Sequence, residues 1–435
     1  MGSLVTIAGL FAVYALVASK LDRWSISGPM VFLIAGALLG PAFLGAISGS
    51  ATSEFTKTIA EFTLAVLLFA DASSISLRKA EGDSALPIRL LLIGLPLTLV
   101  LGTLVAFAIF PAAGWASAAL VAAILAPTDA ALGLPVFNNK AVPARIRRSL
   151  NIESGLNDGI ATPFVVLALA LVIGRGDEGS FLVNALEEIS IAIAMAVAVG
   201  VGGGVLTRLA RKVGWTTPVS EDLMVLSLAL LSYSASVAVG GNGFVAAFLG
   251  GIFFGRMTRR RLGEATEFTE TVGLFGSYLV WVLFGVNFVG PALKSPALAP
   301  IFYAVISLTL VRMAPVALAL LGTRLRGATI AFCGWFGPRG LASAVFTLLS
   351  LDALHEAGMA SEHIVETATW TITLSVVLHG LSSGPLAARY GRAVNADPSR
   401  YARELQESIT QSRRKMSIGG GRSLTRRLED DRCER

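Results

Sequence analysis

The stretch S-L-N-I-E-S-G-L-N-D-G-I-A-T-P, Ser149 to Pro163, lies inside an apolar segment and yet holds Asn151, Glu153, Ser154, Asn157 and Asp158. A charged carboxylate at the centre of a membrane helix costs about 2.5–3.5 kcal/mol on insertion scales. Two of them five residues apart mark a functional candidate. At about 100° per residue, Ser154 and Asp158 share one helix face, and so do Ser154 and Asn157. Glu153 and Asn157 form the neighbouring row. One helix thus carries two adjacent polar stripes, each with a carboxylate.

Outward from this stretch the chain is strongly apolar. Its 435 residues are 54% hydrophobic and only 15% charged, against about 25% charged in a soluble domain. Apolar runs of about 20 residues recur, which predicts an all-α polytopic membrane protein with about thirteen transmembrane helices. The runs are too long for barrel strands. The first begins at Leu4 with no Lys or Arg before it, so it reads as a span and not as a cleaved signal. The spans that matter most are the second (29–47), fifth (115–136), sixth (149–173), eleventh (296–321), twelfth (328–351) and thirteenth (361–388). Only Gly240-Gly241 divides the eighth from the ninth.

Charge sets the expected orientation. Alternate loops hold Lys20 and Arg23; Arg78 and Lys79; Lys140, Arg145, Arg147 and Arg148; Arg208, Arg211 and Lys212; Arg256 and Arg259 to Arg261; and Arg324 and Arg326. The opposite loops hold Arg175 and Lys294. Basic loops stay in the cytoplasm, so the N-terminus is expected outside and the C-terminus inside. Residues 1–388 form the membrane domain. Residues 389–435, with twelve Lys or Arg and seven Asp or Glu, read as a basic, partly disordered cytoplasmic tail with a short helix from Arg400 to Ile409. The net charge of +6 is dispersed, which excludes a nucleic-acid patch. Two cysteines and three scattered histidines have no metal-type spacing, and Cys333 is not expected to pair with Cys433. His379 is expected to be a satisfied structural histidine. No phosphate-binding loop signals a nucleotide.

Four spans carry polar groups near their centres. In the fifth, Ala126-Pro127-Thr128-Asp129 predicts a broken helix, because proline lacks an amide donor and clashes with the preceding turn. Freed carbonyls, the Thr128 hydroxyl and the Asp129 carboxylate would suit a hard alkali cation. The plainer reading, Thr128 and Asp129 capping the next half-helix, is compatible with that. The eleventh span carries Arg312. The twelfth carries G-W-F-G-P-R-G at 334–340, with Arg339, and predicts a second break. Paired broken helices point to a transport site at the midplane. The two spans are seven apart and so run in opposite directions, as inverted repeats over about 1–173 and 220–388 require. No residue-level repeat accompanies that symmetry.

An arginine stays protonated in a protein, so each buried one needs an acceptor. The economical pairing joins Glu153 to Arg312, as an inert buried ion pair on the plainer reading. Asp129 or the half-helix carbonyls accept from Arg339. Asp158 is left without a fixed cation. A carboxylate so placed holds either a proton or a metal ion, and that competition suffices for cation/proton exchange under alternating access.

Together Thr128-Asp129, E-S-G-L-N-D at 153–158, Arg312 and G-P-R-G at 337–340 resemble the electroneutral sodium/proton antiporters of the NhaP and NHE type, in the monovalent cation:proton antiporter group. The resemblance covers about residues 1–390. It implies that Asp158 binds the ion and the proton, with Ser154 and the backbone or hydroxyl of Thr128 as further Na+ ligands. Asn157 stands where the electrogenic branch has a second aspartate, and Glu153 pairs with Arg312 where that branch has a lysine. One carboxylate exchanging one cation for one proton implies electroneutral transport of Na+ or Li+, with K+ a further candidate. L-L-F-A-D-A-S at 67–73 is a looser match that puts Asp71 in an inner funnel; a solvated residue at a helix end is the plainer reading. The resemblance further implies a homodimer in the lipid bilayer of a cell (inner) membrane, six helices moving against a scaffold, no catalysis, and no cofactor besides transported Na+ and H+. Two other classes are a sodium-coupled organic-anion symporter, with Arg312 and Arg339 binding the anion, and a cation channel. The excess of carboxylates opposes the first, and the lack of a filter loop the second.

Overall fold

In the computed structural model every regular element among the described residues, 2–47, 53–74, 85–174, 178–258 and 262–405, is a helix. The order is α1 (Gly2–Arg23), α2 (Gly28–Leu39), α3 (Glu54–Ser74), α4 (Ala85–Ile109), α5 (Gly114–Ile124), α6 (Ala130–Phe137), α7 (Ala144–Ile173), α8 (Val183–Lys212), α9 (Pro218–Ala238), α10 (Gly243–Met257), α11 (Gly263–Lys294), α12 (Leu298–Ala319), α13 (Gly327–Trp335), α14 (Leu341–Glu356) and α15 (Glu362–Ala396). By length and apolar composition α1, α4, α7, α8, α9, α11, α12 and α15 can each cross a bilayer. With no water in that phase, a helix satisfies its own backbone, which is why continuous apolar sequence takes this form. The chain is a multi-pass membrane protein.

The helices sort into two packed groups. In one, α3 lies against α10 and α11, α2 against α11, and α8 and α9 against α10. In the other, α5 lies against α4 and α7, α12 against α15, and α6 against α7 and α15. Glycines bring the backbones of the first group together. A Cβ at Gly36 would overlap the Val282 carbonyl, one at Gly285 the Leu33 carbonyl, and ones at Gly251 and Gly255 the carbonyls of Phe69 and Ser73. Such small-residue crossings are the usual means of helix packing where lipid supplies no hydrophobic drive. The faces of α7 and α14 seal the two groups against α10, α11 and α3.

Several boundaries differ from those read in the sequence. The second span stops at Leu39, not 47: Gly40 is extended (φ −71, ψ 174) and Pro41 follows, so the amide needed for another turn is missing. The sixth starts at Ala144, directly after Pro143. The last helix continues past 388 to Ala396. The chain beyond it turns back on the bundle, where Tyr401 is buried and Glu404 accepts hydrogen bonds from the Thr329 hydroxyl (2.8 Å) and the Arg326 amide (3.1 Å). The start of the compositional tail is therefore packed structure. Its remainder, Cys433, Arg78, Lys79, Arg175 and Arg259 to Arg261 lie outside the described residues. Cys333 is a buried free thiol.

Candidate functional site

The fifth span breaks where its proline predicts. Helix α5 ends at Ile124, the chain runs unwound through Leu125 to Asp129, and α6 resumes at Ala130. The twelfth breaks between Trp335 and Leu341. The two unwound stretches meet. The Asp129 amide donates to the Pro338 carbonyl at 2.8 Å. Arg339, fully buried, donates from Nη1 to the carbonyls of Ala126 (2.9 Å) and Pro127 (3.4 Å). Those carbonyls are the ones left unpaired by the break, so the guanidinium takes over the role of the missing amides.

Asp129 joins the breaks from the other side. Its Oδ1 accepts from the amides of Ala131 (2.6 Å) and Leu132 (3.2 Å), and its Oδ2 from the amide of Leu341 (2.8 Å). One carboxylate thereby caps the N-termini of two half-helices, each with a positive dipole end. Gly340 makes this possible, since a Cβ there would occupy the space of that carboxylate. The capping role read for Asp129 thus has direct geometry.

Arg312 comes directly after a π-helical turn at Ser307–Val311 in α12, where an extra residue in the turn alters the rotation of the helix beyond it. Its Nη1 lies 2.7 Å from Glu153 Oε1, both side chains about 5% exposed or less. Gly337 lies flat against the guanidinium, where any Cβ would collide. The two glycines of G-P-R-G are thus each required by a charged side chain of another helix.

The opposite stripe of α7 faces the first break. Ser154 donates to the Thr128 carbonyl (2.7 Å), and Asn157 Nδ2 donates to the Thr128 hydroxyl (2.5 Å). Thr128 and Ser154 hydroxyls are also 3.5 Å apart. Asn157 Oδ1 and Asp158 Oδ1 are buried oxygens with no hydrogen-bond partner among the described residues. A cavity of about 380 Å³ reaches this point, lined among others by Asp158, Ser154, Asp129, Asn151 and Leu341. Asp71 of α3 lines it as well, together with Glu267 and Glu270 of α11. Thr128, Ser154, Asn157, Asp158 and Asp129 therefore converge, Asp71 lies on the same cavity, and Glu153, Arg312 and Arg339 stand in the supporting network. The oxygen-rich donor set is of the kind that suits a monovalent cation.

Sequence reasoning missed Glu267 and Glu270. An acidic i, i+3 pair at the start of a span, on the side assigned to basic loops, was the available signal. It also missed Ser375, whose hydroxyl accepts from the Arg339 amide at 2.6 Å. His379, one turn further on α15, has Nε2 2.9 Å from the Trp335 carbonyl and Nδ1 2.9 Å from the Ser375 carbonyl. His379 thus holds the Trp335 rim of the second break and Ser375 the Arg339 rim, and with Nε2 donating to Trp335 the ring's Nδ1 can accept from the Ser375 hydroxyl at 3.2 Å.

The chain is 25% identical over 395 residues to the K(+)/H(+) antiporter NhaP of Alkalimonas amylolytica, covering 88% of this chain and 66% of that one. It is 27% identical over 253 residues to the K(+)/H(+) antiporter NhaP2 of Shewanella oneidensis, covering 58% of this chain and 43% of that one. The chain thus spans two thirds of the length of these relatives at most. Its fold is similar to that of the sodium proton antiporter MjNhaP1 of Methanocaldococcus jannaschii, with a TM-score of 0.73 at 20% identity over 89% of this chain and 99% of that one. The family model for the transmembrane sodium/hydrogen exchanger matches residues 7–389, a range that contains both breaks, the Glu153–Arg312 pair and Asp158. The chain belongs to the sodium/hydrogen exchanger family.

Proposed function

We propose that the protein is a secondary active antiporter that exchanges a monovalent cation for a proton across a cell (inner) membrane. Asp158 alternately binds the two. The observation that carries this reading is the Asp158 oxygen on an acidic cavity with no hydrogen-bond partner and no ion pair among the described residues. Arg312 is held by Glu153 and Arg339 by half-helix carbonyls. Asp129 is held by three amides, so it is the less available carboxylate. With Asp158 as the exchanging group, one cation for one proton is electroneutral. Ser154, Asn157 and Thr128 supply neutral oxygens beside it, and Asp71, Glu267 and Glu270 draw cations into the cavity.

In this mechanism the group holding α4 to α7 and α12 to α15 moves against the group holding α2, α3 and α8 to α11, and carries Asp158 from one side of the membrane to the other. The N-terminus is outside and the tail cytoplasmic, in keeping with the basic loops. The molecule works as a homodimer. In support, α1 has no buried residue and exposes Leu4, Val5, Val13 and Leu16, a face for lipid or a second copy. Arg312 and Arg339 each commit Nη1 to the protein and keep Nε and Nη2 without a partner among the described residues; the carboxylates that outnumber them on the cavity count against an organic-anion symporter.

The test uses purified protein in liposomes with a trapped pH dye and an imposed proton gradient. Adding Na+, Li+ or K+ should restore dye fluorescence, with a rate indifferent to a clamped membrane potential. No response to any of the three sinks the antiport reading. A response that varies with the potential sinks the one-to-one stoichiometry.

A further inference from the structure

A charged recess outside the site has a volume of about 630 Å³ and lies at the C-terminal end of α8. Thr207, Arg208, Arg211 and Lys212 line it from α8, and Thr258 and Leu262 from the segment after α10. Its depth in the membrane is set by helix length. The 30 residues of α8 extend about 45 Å at 1.5 Å each, beyond a hydrocarbon core of about 30 Å. The last turns therefore emerge among lipid headgroups. Leu206 and Leu209, directly before and within the basic turn, are 65% and 53% exposed, and Trp215 just beyond it is 83% exposed. Apolar side chains below a basic turn, with a tryptophan at the rim, mark a membrane–water interface.

The charges in the recess do not cancel. Arg211 Nε pairs with Glu221 at 2.9 Å, and Glu221 also accepts from the Thr216 hydroxyl. No ion pair among the described residues includes Arg208 or Lys212. Arg208 reaches across the recess to the Met257 carbonyl at 3.4 Å, a long contact that leaves most of its donors free. The Thr207 and Thr258 hydroxyls donate within their own helices, to Gly203 (2.7 Å) and Phe254 (3.0 Å). The donors offered to a ligand among the described lining residues are therefore those of Arg208 and Lys212. Among the described residues the recess holds two cations without an ion-pair partner, which asks for an anion. Leucines beside it ask for a ligand with hydrocarbon attached.

We propose that this recess binds the phosphate of an anionic phospholipid, such as phosphatidylglycerol, with the acyl chains lying along Leu206 and Leu209. The guanidinium of Arg208 and the ammonium of Lys212 hold the phosphodiester oxygens. A zwitterionic lipid brings its own cation into a site that already carries two, and is disfavoured. Inorganic phosphate shares the headgroup chemistry but gains nothing from the leucines. The inference rests on the membrane character of the chain and is independent of what Asp158 does.

The full chain, purified and delipidated in mild detergent, is titrated with phosphatidylglycerol or phosphatidylcholine, and bound lipid is counted by native mass spectrometry. The wild-type chain should hold phosphatidylglycerol at concentrations where phosphatidylcholine is absent, and a tenfold excess of inorganic phosphate should not displace it. The double substitution R208A/K212A should raise the phosphatidylglycerol midpoint about 10- to 30-fold, the scale of two basic contacts at a charged surface. Lys212→Gln alone should give an intermediate shift, which serves if the double variant fails to fold. R389A/R392A, two exposed arginines on α15, should leave the midpoint unchanged. Equal retention of both lipids, an unmoved midpoint in the recess variants, or the same shift in R389A/R392A overturns the proposal. Displacement by inorganic phosphate overturns it in favour of a free-anion site.

Discussion

At the residue scale, burial separates side chains that look alike in one dimension. Glu153 and Asp158 lie five apart on one helix, yet Glu153 is closed by Arg312 and Asp158 opens on a cavity. Asp158→Asn keeps the shape and removes the titrating oxygen. It should abolish exchange in liposomes while leaving the detergent melting temperature within a few degrees of wild type; exchange at the wild-type rate would falsify the single-carboxylate mechanism. Arg312→Ala leaves Glu153 buried without its cation and should destabilise the fold by about 3–5 kcal/mol. The double substitution E153Q/R312M should recover most of that loss in the same melting assay. A single-variant loss that persists in the double variant would mean that Arg312 acts through its packing on Gly337 instead.

At the scale of elements, the unit is the pair of broken helices, α5–α6 and α13–α14. Each break exposes backbone groups that would be costly in a dry interior, and each supplies what the other lacks. Arg339 serves the carbonyls of the first break, and Asp129 serves an amide of the second. Gly340→Ala places a methyl in the Asp129 carboxylate. It should cost at least the value of a lost helix cap, about 1 kcal/mol, and lower the exchange rate by displacing Thr128 with it. An unchanged melting temperature and rate would show that the break tolerates the displacement. The glycine crossing of α2 and α11 makes a parallel case away from the site. Gly36→Leu should lower the melting temperature through overpacking of about 1–3 kcal/mol, while the variant that folds keeps its apparent cation affinity.

At the scale of the whole molecule, two helix groups meet along α7, α14, α10, α11 and α3, with the acidic cavity at the seam. If proton and cation share Asp158, acid must act as a competitor. The apparent cation KM should then rise as pH falls, by up to tenfold per pH unit once the proton dominates, while the maximal rate changes little over the same interval. A constant KM with a falling maximal rate would place the proton on another group. The all-helical membrane architecture, the two breaks and the Glu153–Arg312 pairing were legible in the sequence, because apolar run length, proline chemistry and the cost of unpaired buried charge are local or countable properties; of the thirteen spans expected, eight helices among the described residues are long and apolar enough to cross. The acidic mouth at Glu267 and Glu270, the support from Ser375, and the folding of the early tail onto Thr329 through Glu404 were not; His379 was legible as a satisfied histidine, though not its partners. Each is a contact between residues far apart in the chain, and apart from the i, i+3 spacing of Glu267 and Glu270 no local pattern announces it.

By itself this sequence determines a membrane-embedded helical chain with its polar groups in a few interrupted spans, since the bilayer leaves an apolar backbone no other way to bond its amides and carbonyls. Only the tertiary structure decides the division of work among those polar groups. Asp129 and Asp158 are both aspartates near mid-span. Three amides from two half-helices converge on the first, and an open cavity on the second. That convergence depends on how α6, α7 and α14 cross, which is set by close packing across the bundle and not by any one helix.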